Sequence, residues 1–130
     1  TLDENNQWYC DKCKRKSQAT KKMSIWSTAE YLIISYKRYM NYLITTLKDN
    51  RDIVTPLEKL DMSPYVENNT KEENLYTICA ITVHKGSLSN GHYIAARKIN
   101  DSWKVFNDSS VMPVSKINTS SAYYLVYKRM

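Results

Sequence analysis

A chain of 130 residues with 42% hydrophobic residues can close one modest core and is too apolar for wholesale disorder. Its net charge of +6 comes from lysines spread among Asp and Glu, which argues against a nucleic-acid stripe and fits a protein partner as well. No apolar run approaches the ~20 residues of a membrane span, and no secretory signal opens the chain.

Thr1 to Gln7 is polar. Trp8-Tyr9-Cys10-Asp11-Lys12-Cys13-Lys14 reads as a knuckle-like turn. Two thiolates three positions apart can both reach one tetrahedral Zn²⁺, and adjacent lysines lower thiol pKa values. One C-x-x-C supplies only half of a four-ligand structural site, so Cys10 and Cys13 read as half a zinc site or as free thiols on a turn. Three cysteines make no disulfide framework and suit a reducing compartment, cytoplasmic or nuclear. The N-x-S/T triplets at Asn68, Asn107 and Asn118 then read as chance. Lys14 to Lys22 is a basic strand or loop, the solvated face of a long hairpin. Met23 to Ser27 alternates like a strand. Tyr31 to Tyr39 begins β-branched and aromatic and is the strongest central-strand candidate. Eleven tyrosines against one phenylalanine point to half-wet sheet surfaces more than to a dry helical core.

Met40 to Asp52 lacks a firm period and reads as a loop with a short strand. In Leu60 to Val66, Ser63-Pro64 marks a turn that Asp61 can cap. Glu67 to Asn74 has the composition of a variable loop. Leu75 to His84 is an almost unbroken apolar strand, buried on both faces. Cys79 within it is the one cysteine near the histidines. A free cysteine in an apolar strand is usually inert packing. Two glycines and an asparagine between His84 and Gly91 allow positive φ and a tight turn.

His92 opens a strand over Tyr93 to Arg97, Asn100-Asp101-Ser102 is a polar turn, and Trp103 to Phe106 is a second strand. A two-strand hairpin returns Asn107 and Asp108 toward His92. An imidazole whose tautomer is held by a carboxamide or carboxylate is two-thirds of a hydrolytic triad, and the nucleophile is missing. Of the two partners, Asn107 is favoured over Asp108, since strand residues alternate faces only while the strand stays regular. Ser110 to Val114, with Pro113, is an edge-type strand. Ser115 can cap a single turn over Lys116 to Asn118. Ala122 to Arg129 is a last strand.

These residues carry a resemblance. GHY, a Trp-containing strand, FNDSSV and AYYLVYKR resemble the histidine box of the ubiquitin-specific proteases, papain-like cysteine enzymes that cleave after the C-terminal glycine of ubiquitin. WYCDKCKRKSQATKKMSIW, YLIISYKRY, LDMSPYV and LYTICAITVHKGSLSNGHY follow the same family's C-terminal half in the right order. Ser35 and Tyr36 depart from its usual L-x-I-H-L-K-R-F, and Thr28-Ala29-Glu30 stands where it usually has proline.

The resemblance implies an α+β papain-like fold, the part here mostly antiparallel sheet, with residues 1–27 a fingers segment, residues 28–130 the palm, and the helical thumb absent. It makes His92 the general base and Asn107 or Asp108 the group that orients it, with His84, Gly91 and Tyr93 facing the cleft for ubiquitin's tail. His84 reads equally as a polar strand end. The last strand is expected beside the histidine strand. Catalysis needs no cofactor, and the cysteine box lies upstream, outside these residues. The implied partners are ubiquitin, ubiquitinated proteins and that upstream half. Two alternatives stay open: an inert ubiquitin-binding or scaffold module, and a zinc-ribbon nucleic-acid binder resting on Cys10, Cys13 and the nearby lysines.

Overall fold

The computed structural model describes residues 1–41, 43–68, 74–87 and 90–130. Parts of two expected loops, residues 69–73 and 88–89, lie outside the described residues. A first hairpin joins β1 (Trp8–Cys10) to β2 (Arg15–Ser17), with Cys10 paired to Arg15 and Lys14 at φ 53° in the connecting turn. Of the strand expected at Met23 to Ser27, only Ile25 pairs. It forms a single parallel bridge to Val66, with the Glu67 N–H bonded to the Ile25 carbonyl at 2.8 Å. These side chains stay exposed, so alternation there finds no second face to pack on.

The remaining strands are β3 (Tyr31–Ser35), β4 (Tyr39–Asn41), β5 (Thr46–Lys48), β6 (Leu60–Asp61), β7 (Leu75–Gly86), β8 (Gly91–Ile99), β9 (Ser102–Asn107), β10 (Ser110–Val114) and β11 (Ala122–Arg129). Seven of them form one sheet in the order β10-β9-β8-β7-β11-β3, with β6 beside β7, and β4 and β5 form a separate hairpin. Every strand pairing is antiparallel. Among the described residues there is no α-helix, only a 3-10 turn at Ser63–Tyr65, where the Asp61 carboxylate accepts the Ser63 N–H at 2.9 Å. The turn expected at Lys116 to Asn118 is absent, and Ile117 plugs the core from an irregular segment instead.

Two expected positions are corrected. β3 is an edge strand, bonded only to β11 in this sheet, and only one of its two apolar faces is covered: Leu32 and Ile34 pack inward while Tyr31 and Ile33 stand exposed. β11 lies between β7 and β3, one strand removed from the histidine strand β8. Its register against β7 slips at Tyr123 and again at Cys79, two bulges that bend the pair.

One face of the sheet carries the core of Tyr76, Ile78, Ile81, Ala96, Ile117, Ala122, Leu125 and Tyr127. Tyr76 and Tyr127 are its largest fully buried side chains, so the tyrosines reach further inside than half-wet surfaces would imply. Each solves its polar end with a loop carbonyl: Tyr76 Oη donates to Ala29 at 2.6 Å and Tyr127 Oη to Pro56 at 2.8 Å. Arg38 is buried at 3% exposure, its guanidinium donating to the carbonyls of Ala122, Asp49, Arg51 and Ser120. It bolts the segment after β5 to the start of β11.

Candidate functional site

The β8–β9 hairpin builds the site. Asn100 and Asp101 sit at φ 47° and 61°, the left-handed pair that a two-residue turn matched to strand twist requires, and Ile99 pairs with Ser102 across it. The register places Ala95 opposite Phe106, so His92 and Asn107 lie on the same face as diagonal neighbours. His92 Nε2 is 2.5 Å from Asn107 Oδ1. Asp108 follows at φ 50°, a reversal that breaks the strand alternation and turns its carboxylate back to 3.8 Å from the same nitrogen. Of the two partners, Asn107 makes the hydrogen bond and Asp108 a longer contact from an exposed position. With Nε2 engaged by a carbonyl oxygen, the imidazole proton belongs on Nε2 and Nδ1 keeps its lone pair for a second group.

His84, Gly91 and Tyr93 gather on the opposite face. His84 is 7% exposed, and its Nδ1 faces Tyr39 Oη at 2.6 Å and Lys48 Nζ at 3.3 Å. Burial, and then the Lys48 charge, push its pKa below the ordinary 6.5. Two donors on Nδ1 make this a neutral ring, protonated on Nε2. Gly91 does not take the positive φ that the sequence allowed, whereas Gly86 does, at 107°. What position 91 requires is space, because the His84 ring occupies the room a side chain would need. Tyr93 is 54% exposed and stacks at a tilt on His84, 4.6 Å between ring centroids. His84 also lines an open cavity of about 330 Å³ with Arg38, Lys48, Asn50, Lys85, Gly86 and Ser121. Arg38 and Tyr39 fall in the predicted strand that ends YKRY, whereas no local pattern marks Lys48.

The cysteines separate. Cys79 sits at the β7 bulge with its thiol toward the Val126 carbonyl at 3.4 Å, and burial raises its pKa. That is the environment of a packing cysteine. Cys10 differs: backbone N–H groups of Cys13 and Lys12, and the Cys13 side chain, lower its pKa. The knuckle thus moves Cys10 in the direction that a metal-ligating thiol needs. Among the described residues no third Cys, His, Asp or Glu joins these two in a ligand group, so the pair does not complete a tetrahedral site. No helix among the described residues is long and apolar enough to cross a membrane.

Residues 1–127 match the profile of the family described as ubiquitin carboxyl-terminal hydrolase. The chain is 35% identical over 133 residues to ubiquitin carboxyl-terminal hydrolase 9 of Arabidopsis thaliana, covering 99% of this chain and 15% of that protein. It is 36% identical to ubiquitin carboxyl-terminal hydrolase 4 of Pongo abelii, covering 99% of this chain and 14% of that one. Among solved structures it resembles a chain of the SAGA Ubp8/Sgf11/Sus1/Sgf73 DUB module bound to ubiquitin aldehyde. That match has a TM-score of 0.80 and 29% identity, covering 98% of this chain and 30% of the other. A Ubp8(C146A) form of the same module bound to monoubiquitin aligns with a TM-score of 0.79 at 29% identity, covering 98% and 29%. The chain therefore spans a small part of the length of the relatives it matches.

Proposed function

The chain belongs to the ubiquitin carboxyl-terminal hydrolase family, and from that premise we propose that its β8–β9 hairpin supplies the base half of a thiol hydrolase that cleaves after the C-terminal glycine of ubiquitin. The observation that carries this reading is the 2.5 Å contact between His92 Nε2 and Asn107 Oδ1. Asn107 fixes the ring and its tautomer, and Nδ1 is left free. That nitrogen takes the proton of a cysteine thiol, and the thiolate attacks the carbonyl carbon of the terminal glycine. The imidazolium then returns the proton to the leaving amine, and the acyl-enzyme is hydrolysed by water that the same base activates. Asn107 brings no charge, so stabilisation of the transient imidazolium falls to Asp108, weakly, across 3.8 Å of a solvated gap.

The nucleophile of this reading lies outside the 130 residues, since Cys79 is packed and its pKa is raised. On the same reading residues 1–27 are a fingers segment and residues 28–130 a palm, within an α+β papain-like domain whose helical thumb comes from elsewhere in the protein. Cys10 and Cys13 would hold half of a structural zinc site, completed by two ligands beyond this chain. The exposed Tyr93 borders the path of ubiquitin's tail, while the space over Gly91 is taken by the His84 ring. Ubiquitin, its conjugates and the cysteine-bearing part of the domain are the partners, in a reducing intracellular compartment.

The test is adduct formation with ubiquitin that carries a thiol-reactive electrophile at its C-terminus, read by intact mass. A protein joining this chain to its cysteine-bearing part takes one ubiquitin, and His92→Ala slows that labelling by roughly 10²-fold or more. The 130-residue chain alone takes none. Labelling of the chain alone would place the nucleophile at Cys10, Cys13 or Cys79 and overturn the assignment. Binding of ubiquitin with no labelling of either form would instead make the segment an inert module.

A further inference from the structure

The two histidines stand on opposite faces of one strand pair. His92 shares its face with Asn107, whereas Gly91 and Tyr93 share the face of His84, which pairs directly with Tyr93. A Cβ built on Gly91 would fall 2.1 Å from His84 Nε2 and 2.5 Å from Cε1, so the ring fills the space above that glycine. Its centroid lies 4.6 Å from that of Tyr93. One imidazole is thus wedged between the two residues that flank His92 in sequence.

The wedge is itself held. Tyr39 Oη donates to Nδ1 at 2.6 Å, and Lys48 Nζ approaches that nitrogen at 3.3 Å. The same ammonium donates to the carbonyls of His84 and Gly86 at 2.6 and 3.1 Å, so the end of β7 is tied to the β4–β5 hairpin. His92 needs such support from below. Its side chain is 46% exposed, so little packing fixes the ring, and its direction follows from its backbone and from Asn107.

We propose that His84 is a positioning residue for His92: wedged under Gly91 and Tyr93 and held by Tyr39 and Lys48, it fixes the backbone from which the His92 ring presents Nε2 to Asn107. This rests on the reading of His92 and Asn107 as the base pair. His84 itself touches no reacting atom. It works through the strand, as the supporting shell of a site does when it keeps a side chain within a fraction of an ångström of its productive geometry.

The ring nitrogens of two histidines can be followed separately by ¹⁵N NMR. The measurement is made at about pH 8.5, where an ordinary imidazole is neutral. In the wild-type chain His92 shows one tautomer, with its two nitrogen shifts well separated. Asn107→Ala removes the acceptor, and the two shifts move toward each other as the tautomers mix. Gly91→Ala, whose new methyl displaces the His84 ring, produces the same collapse at His92 with Asn107 intact. Tyr39→Phe deletes one hydroxyl, preserves the fold, and shifts His92 in the same direction by less, while amides of β9 and β11 stay in place. If Gly91→Ala unfolds the chain, Tyr39→Phe decides. An Asn107→Ala chain with unchanged His92 shifts would overturn the base-pair reading and the positioning role together. If Asn107→Ala moves the His92 nitrogens but Tyr39→Phe moves only those of His84, the positioning role is wrong and the base pair stands.

Discussion

His84 carries a cost that shows itself in acid. Its neutral ring is buried, with burial first and the Lys48 charge second depressing its pKa below the ordinary 6.5. The groups that face it are Tyr39, Lys48, Tyr93 and Tyr123. In the unfolded chain an imidazole takes a proton near pH ~6.5, while the folded one still refuses it, so between those values the unfolded state binds more protons. The stability tied to His84 is complete above about pH 6.5 and is lost as pH falls toward the depressed folded value. Melting curves from pH 8 to 5 should therefore slope more steeply for the wild type than for His84→Asn, which keeps an acceptor for Tyr39 and cannot titrate. Parallel slopes would mean that the ring is not held neutral. The meeting of His92 with Asn107 was legible in the sequence, whereas the contacts that bury His84, named there only as a cleft residue or a polar strand end, were not. His92 and Asn107 are 15 residues apart and meet through one local hairpin, whereas the groups that bury His84 come from β4, β5 and β11. Local pattern reaches a hairpin; it does not reach a partner 45 residues away.

The hairpin is the element on which the site depends, and its turn is not the best available. Asn100 and Asp101 both hold left-handed backbone, at φ 47° and 61°. Asparagine tolerates that region, whereas aspartate at the second position does so at a cost that glycine avoids. Asp101→Gly creates the Asn-Gly pair that such two-residue turns prefer. It also removes the Lys98–Asp101 ion pair of 3.3 Å, whose aspartate is 97% exposed and which contributes next to nothing. Relief of a left-handed cost of roughly 1–2 kcal/mol, less the roughly 0.5–1 kcal/mol that glycine's freedom in the unfolded chain takes back, leaves a gain of about 0.5–1 kcal/mol, read as a rise in Tm of roughly 2–4 °C, with the His92–Asn107 contact retained. An unchanged or lower Tm would show that Asp101 is not strained there. Strand positions were legible because alternation and turn residues report them. The bulges at Cys79 and Tyr123 were not, because each is a mismatch between β7 and β11 that neither strand displays alone. The same limit misplaced β3. Tyr31-Leu32-Ile33-Ile34 is apolar on both sides, which reads as central, yet β11 pairs with one edge and only Leu32 and Ile34 pack on the core.

For the molecule as a whole, that two-sided apolar edge is a liability. Among the described residues, β3 has no strand on its outer side, and Ile33 is 67% and Tyr31 50% exposed. Neither of the usual protections is present on it, since YLIIS has no charge and no proline. The opposite edge is guarded: β10 carries Pro113, which removes a ladder donor. An unpaired row of N–H and C=O groups flanked by apolar side chains recruits another strand, and a second copy of this chain offers an identical one. Sedimentation velocity over a hundredfold range of concentration should show the 130-residue chain associating as concentration rises. Ile33→Lys should hold it monomeric while changing stability by no more than about 0.5 kcal/mol, because the position is already in solvent. A charge there also tests which edge matters, since Val111→Lys on β10 should leave the association intact. A wild-type chain that stays monomeric throughout would show that the twist of β3 or its neighbouring segments already close this edge. Association that Val111→Lys abolishes and Ile33→Lys does not would move the contact to the guarded side.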